Sequence, residues 1–146
     1  MIEYAPCEAS VYPITGSNLW VMNCIWVLRR AGGHNYGTAL MTRMKEKIIK
    51  ARSVATIALE GHYSPWFKLP QIERLGFRSI DSRRMRHRAK HRDVCFGVHL
   101  MWMPLDHGAE TPEMAWEKMF QGVDFCIAHP LYRAERLSLV EPFEPC

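Results

Sequence analysis

The chain has 146 residues, 48% of them hydrophobic and 23% charged, and a net charge of +4. That length supports one domain with a real core, and that balance excludes wholesale disorder. The sequence pI of about 8.9 suits an anionic ligand but is too mild to imply nucleic acid on its own.

Met1 is followed directly by Ile2, Glu3 and Tyr4, without the basic segment that opens a secretory leader. The longest apolar run, Leu19 to Leu28, is far short of the roughly 20 residues a membrane-spanning helix needs. The expectation is a soluble, cytoplasmic, single-domain protein without a membrane partner. Cys7, Cys24, Cys95, Cys126 and Cys146 form no C-x-x-C pair, and the seven histidines show no paired spacing. The cysteines are therefore expected to stay reduced and pack as small hydrophobes, with no metal site. A zinc site built from distant cysteines and histidines is the weaker alternative.

In chain order, Ala9 to Ile14 reads as a short strand interrupted by Pro13, and Gly16-Ser17-Asn18 as a turn. Leu19 to Leu28 reads as a buried strand, polar only at Asn23, so the two strands are expected to form an antiparallel hairpin. Arg29 to Gly37 is a basic, glycine-rich turn. From Thr38, Leu40, Met41, Met44 and Ile48 recur at helical spacing, with Arg43, Lys45, Glu46, Lys47 and Lys50 facing away. Ser53 to Leu59 is a short, apolar, β-branched strand. Strand, helix and strand predict a parallel βαβ crossover.

Pro70 to Leu75 is expected to be a short helix closed by Gly76 in the left-handed conformation, and Phe77 to Asp81 a short strand. Ser82 to Asp93 carries Arg83, Arg84, Arg86, Arg88, Lys90 and Arg92, and is expected to be the loop of a hairpin whose second strand is Cys95 to Met103. Thr111-Pro112 reads as the start of a helix running to Gln121. The proline-bearing tail from Val123 is expected to pack irregularly. The fold class is α/β (α+β): a mixed, mostly antiparallel sheet with a central βαβ unit and flanking helices, its core at about residues 9–103 and a C-terminal helix and tail at 104–146.

A glycine turn that feeds a helix N-terminus is a ready phosphate site, because the first backbone N–H groups lack intrahelical partners and the helix dipole favours an anion. Here Gly32-Gly33-His34-Asn35-Tyr36-Gly37-Thr38 occupies that position, followed by Ala39-Leu40-Met41. The segment resembles the Q/R-x-x-G-x-G/A signature of the GNAT acyl-CoA N-acyltransferase superfamily. Gly32 stands at the Gln/Arg position and Asn35 at the first signature glycine; Asn tolerates the left-handed conformation. Gly76-Phe77 resembles the family's second landmark, and the two landmarks span about Leu19 to Met103. Tyr4-Ala5-Pro6, Cys24-Ile25-Trp26-Val27, Pro112 and Cys126 are similar to landmarks of a GNAT-like bacterial and archaeal subgroup.

The resemblance implies an N-acetyltransferase moving an acetyl group from acetyl-CoA to a primary amine on a small molecule or protein. Backbone groups of Ile25, Trp26 and Val27 would line the pantetheine, and Gly32, Gly33, His34, Asn35, Tyr36, Gly37 and Thr38 would hold the pyrophosphate. The family's usual acid, a tyrosine four residues before the Gly-Phe glycine, is replaced by Ile72, so Tyr63 and His62 are the candidate catalytic residues. The resemblance also implies an N-terminally truncated fold, with much of the acceptor side missing. A homo-oligomer or a complementing chain would be one way to complete it. The alternatives are a non-catalytic CoA-binding or protein-interaction module and, least favoured, a basic nucleic-acid-binding protein using Arg83 to Arg92.

Overall fold

The structure, a computed structural model, describes residues 1–88, 92–123 and 142–146. Among these it is an α+β protein with a mixed, mostly antiparallel six-stranded sheet and few helices. The strands are β1 (Ile2–Pro6), β2 (Ile14–Thr15), β3 (Leu19–Ile25), β4 (Ser53–Glu60), β5 (Arg78–His87), β6 (Phe96–Pro104), β7 (Glu113–Met114) and β8 (Phe143–Pro145); the helices are α1 (Tyr36–Lys47), α2 (Leu69–Arg74) and α3 (Trp116–Phe120). The large sheet runs β1-β3-β4-β6-β5-β8, and β2 pairs with β7 alone.

β3, α1 and β4 form the expected crossover, and β3 pairs with β4 in parallel. Both strands are almost entirely buried, as apolar strands covered on both faces must be. α1 turns Met41 and Met44 into the core, continued by Ile48 just past its end. Lys45 and Lys47 in its last turn complement the negative end of the dipole. β6 pairs with β4 along the whole length of β4, from Ser53↔Pro104 to Glu60↔Gly97.

The N-terminal pairing differs from expectation. The neighbour of β3 is β1, not Ala9 to Ile14. Cys7–Ala9 is a 3-10 turn, and only Ile14–Thr15 is extended, against β7. Tyr12 is drawn into the core, where its hydroxyl donates to the Asn23 carbonyl at 2.7 Å. The expected Thr111–Gln121 helix shrinks to Trp116–Phe120 for a related reason. Glu113 and Met114 extend to pair with Thr15 and Ile14, and the Ala115 N–H donates to the Pro13 carbonyl at 2.9 Å.

β5 corrects the reading of the basic stretch. It continues to His87, so Arg83, Arg84 and Arg86 are strand residues rather than loop residues. Arg83 bonds Asp81 at 2.8 Å and lies over the Trp116 ring, Arg84 reaches Cys95, and Arg86 faces Glu144 at 3.2 Å. Lys90 falls outside the described residues, as do Cys126 and most of the tail from Val123. The sheet starts at Ile2 and takes in Phe143–Pro145, beyond the expected 9–103 core.

Cys95 and Cys146 are joined in a disulfide with Cα atoms 6.2 Å apart. This corrects the expectation of wholly reduced cysteines. The pairing follows from topology: β8 runs antiparallel to β5 and brings the end of the chain beside the start of β6. No described helix is long and apolar enough to cross a membrane.

Candidate functional site

The parallel ladder of β3 and β4 holds only at Leu19↔Ser53, Trp20↔Val54 and Val21↔Ala55. Beyond it β3 runs on to Ile25 and β4 to Glu60, yet the two no longer pair. Where they part, the Met22 carbonyl accepts from the Thr56 hydroxyl at 2.7 Å instead of from a β4 amide. One residue later, the β1–β3 register shifts between Glu3 and Tyr4, leaving Asn23 as the extra residue of a bulge. A bulge bends its strand and raises the local twist, which turns β3 away from β4. Asn23 is the one polar residue that interrupts the run. Its carbonyl accepts from Tyr12, and its side-chain oxygen from the Ser10 hydroxyl at 2.8 Å. A buried amide satisfied in this way fixes the bulge at one position.

Residues from both sides occupy the fork. The Leu59 N–H donates to the Phe67 carbonyl at 2.7 Å, and Leu59 bridges Lys68 in parallel. Because β6 occupies the other edge of β4, this returning loop lies on the edge that β3 has vacated. The Phe67 ring meets Tyr12 edge-on, with centroids 6.4 Å apart. At the C-terminal ends of the strands, the exposed Trp26 and Trp66 rings stand 6.1 Å apart.

The three residues expected to face a ligand, Ile25 at the end of β3 and Trp26 and Val27 just beyond it, divide into two kinds. Trp26 N–H donates to the Met1 carbonyl, and the Met1 ammonium donates to the Trp26 carbonyl, both at 2.9 Å. Trp26 is thus a hydrogen-bonded pair with Met1. Its neighbour pair Ile25↔Ile2 is then of the non-bonded type, so the Ile25 backbone groups turn toward the fork. Val27 follows Trp26 outside the strand and is half-buried.

The turn after β3 opens with a 3-10 segment, Arg29–Ala31. Gly33 has φ +82°, and Asn35 adopts φ 55°, ψ 21° as the residue that starts α1, which is the left-handed tolerance expected of Asn at this point. The Asn35 side chain makes no capping bond. The first helical bond runs from Ala39 N–H to the Asn35 carbonyl. The amides of Tyr36, Gly37 and Thr38 therefore have no partner within α1. Gly32, Gly33, His34, Asn35, Tyr36 and Thr38 are exposed. The His34 and Tyr36 rings lie 5.7 Å apart. Gly37 faces α2, where an added Cβ would touch only Leu75, at 3.5 Å.

His62 and Tyr63 sit just past β4 but in different settings. His62 is 7% exposed, and its Nε2 lies 2.9 Å from Nε2 of His87, itself 4% exposed. The Ser64 N–H donates to His62 Nδ1 at 3.1 Å. Nδ1 must then carry the lone pair, so His62 Nε2–H donates to His87. Both nitrogens of His62 are engaged inside the protein. Tyr63, 56% exposed, stacks on His62 with centroids 4.3 Å apart. Ile72 is buried. His87 closes a run that reads in sequence as a basic loop, so nothing local marks it as the partner of His62.

Separately, a cleft of about 390 Å³ lies between β5, β6 and β7, lined by Ile80, Asp81, Leu100, Glu113, Met114 and Trp116 among others. No three His, Cys, Asp or Glu side chains converge as a metal site among the described residues. No protein-family model matches the chain, and no curated protein matches it.

Proposed function

We propose that this chain is a GNAT-type N-acetyltransferase that binds acetyl-CoA at the fork and transfers the acetyl group to a primary amine. The observation that carries this reading is the three-residue parallel ladder between β3 and β4, which opens into a fork beside the N-terminus of α1. An extended thioester arm would lie along the β3 side of the fork, where the Ile25 backbone groups turn, because Phe67 and Lys68 already pair with the β4 side. A pyrophosphate needs converging amides, and Tyr36, Gly37 and Thr38 supply three at the positive end of a helix. Acetyl-CoA would bring the activated acyl group. The chain would orient it, and exposed Tyr63 would give a proton to the departing thiolate.

Calorimetric titration with acetyl-CoA tests the binding half. Saturable binding is expected, and no heat at millimolar ligand would reject the reading. Thiol release across a panel of amines tests the chemistry, with Tyr63→Phe expected to lower turnover while leaving affinity unchanged.

A second reading, a non-catalytic module that binds CoA or a protein partner, is favoured by two observations. His62 has both ring nitrogens engaged within the protein, and buried Ile72 replaces the family acid. Acetyl-CoA binding without thiol release would select it. The nucleic-acid reading draws no support from β5, where Arg83, Arg84 and Arg86 each have a partner within the chain.

A further inference from the structure

Three side chains from three adjacent strands meet on the side of β4 opposite β3. Ser79 on β5 has its hydroxyl 2.9 Å from Nδ1 of His99 on β6. Nε2 of the same ring faces Oε2 of Glu60, the last residue of β4, at 3.5 Å. A carboxylate only accepts, so it favours the tautomer with hydrogen on Nε2. Nδ1 then holds the lone pair, and the Ser79 hydroxyl donates to it. Nucleophile, base and orienting carboxylate stand in the order that activates a serine.

Two backbone features keep this arrangement. Ser79 pairs with Met101, which makes His99, two residues along β6, its diagonal neighbour on the same face, and the β5–β6 register shifts just beyond it, between Ser79 and Asp81; bulges are common next to reactive sites. Gly97 lies directly opposite Glu60. A Cβ there would come within 3.2 Å of His99 Nε2 and 3.3 Å of Glu60 Oε2. Glycine leaves the space that the imidazole and carboxylate occupy. The Glu60 side chain is 58% exposed and that of His99 14%, so the ring is held while the face stays open to solvent.

We propose that Ser79 is a nucleophile toward small activated acyl esters, with His99 as its general base and Glu60 orienting the imidazole. The Ser79 oxygen bonds to the acyl carbon, and its proton passes to His99 Nδ1. The ester C–O bond breaks, and the departing oxygen takes that proton back. Water then attacks the acyl-serine, again through His99, giving the carboxylic acid and restoring the hydroxyl. This activity is independent of acetyl-CoA binding at the fork.

The test mixes the purified chain with 4-nitrophenyl acetate, following nitrophenolate release and mapping acetylation by peptide mass spectrometry. The expected result is a burst of product with acetyl on Ser79. The burst should vanish in Ser79→Ala and slow by roughly 100-fold or more in His99→Gln, the scale of losing a general base. Glu60→Gln, at an exposed position, and Gly97→Ala should both slow acylation with the serine intact, and circular dichroism should show each variant folded. Acetyl found only on lysines or the N-terminus would overturn the proposal. So would a folded His99→Gln variant acylated at the wild-type rate, or unchanged rates in both Glu60→Gln and Gly97→Ala.

Discussion

The Thr56 hydroxyl donates to the Met22 carbonyl across 2.7 Å, at the point where two parallel strands stop pairing. Thr56 is fully buried, so this bond satisfies a carbonyl that the lost ladder would otherwise leave stranded. Thr56→Val keeps the shape but removes the donor. It should cost about 1–3 kcal/mol, the penalty for an unmet buried acceptor. Thr56→Ser should retain most of the stability. Urea unfolding of the two variants checks this, and a loss in Thr56→Ser with none in Thr56→Val would show that the methyl group, not the hydroxyl, is what matters.

Thr38 offers a way to separate folding from binding at the turn. It is exposed and stands in the first turn of α1, where a carboxylate favours the helix dipole. Thr38→Glu should therefore raise stability slightly, by about 0.3–1 kcal/mol. The same charge should repel a phosphate and weaken acetyl-CoA binding by tenfold or more, since several amide contacts would be lost together. Gly37→Glu is a poorer probe because position 37 faces Leu75. Calorimetry beside thermal denaturation reads both effects, and a stabilised variant with unchanged affinity would place the phosphates elsewhere.

The crossover could be read from the sequence because its signals are local. The apolar run Leu19 to Leu28, of which β3 takes Leu19–Ile25, the turn, the spacing of Met41, Met44 and Ile48, and the β-branched Ser53 to Leu59 segment each state their own structure. Gly76 could be read for the same reason, and it has φ +99°. What was missed depends on partners distant in the chain. Glu113 and Met114 give up helix because Ile14 and Thr15 are unpaired without them. The arginines of β5 look like loop residues until Asp81, Trp116, Cys95 and Glu144 are placed beside them. Asn23 announced itself as a polar interruption, but its role needs Tyr12 and Ser10 in space. Ser79, His99 and Glu60 come from three segments whose alignment is set only by strand register.

The Cys95–Cys146 disulfide closes a loop with a sequence separation of 51. Loop-closure entropy for that span corresponds to about 4 kcal/mol. The bond holds the short edge strand β8 against β5, where Phe143 packs beside His87 and Phe96 at ring distances of 5.0 and 5.9 Å. Reduction, or Cys146→Ser, should lower stability by about 2–4 kcal/mol and increase hydrogen exchange in β5 near His87. Denaturation with and without reductant, followed by exchange mass spectrometry, measures both. Identical curves would mean that β8 is held by its strand pairing alone.

Arg52 and Asp106 couple the start of β4 to the segment after β6, and the coupling has a definite pH dependence. The guanidinium bonds both carboxylate oxygens, with Nε 3.1 Å from Oδ2, and the Gly108 N–H donates to Oδ1 at 2.7 Å. The Arg52 hydrogen bond, aided by the Gly108 amide and the positive charge, holds the Asp106 carboxyl below its ordinary value of 3.8. A carboxyl whose folded-state value is depressed binds its proton more readily in the unfolded chain. Its contribution is therefore complete above the ordinary carboxylate value and lost as pH falls through the lower folded one. Asp106→Asn should destabilise the protein modestly at neutral pH. The gap from the natural chain should close in acid below 3.8, and should also shrink at high salt, because both groups are exposed. Urea midpoints across acid and neutral pH give the test: a gap that persists undiminished in acid would show that the effect does not come from the carboxylate charge.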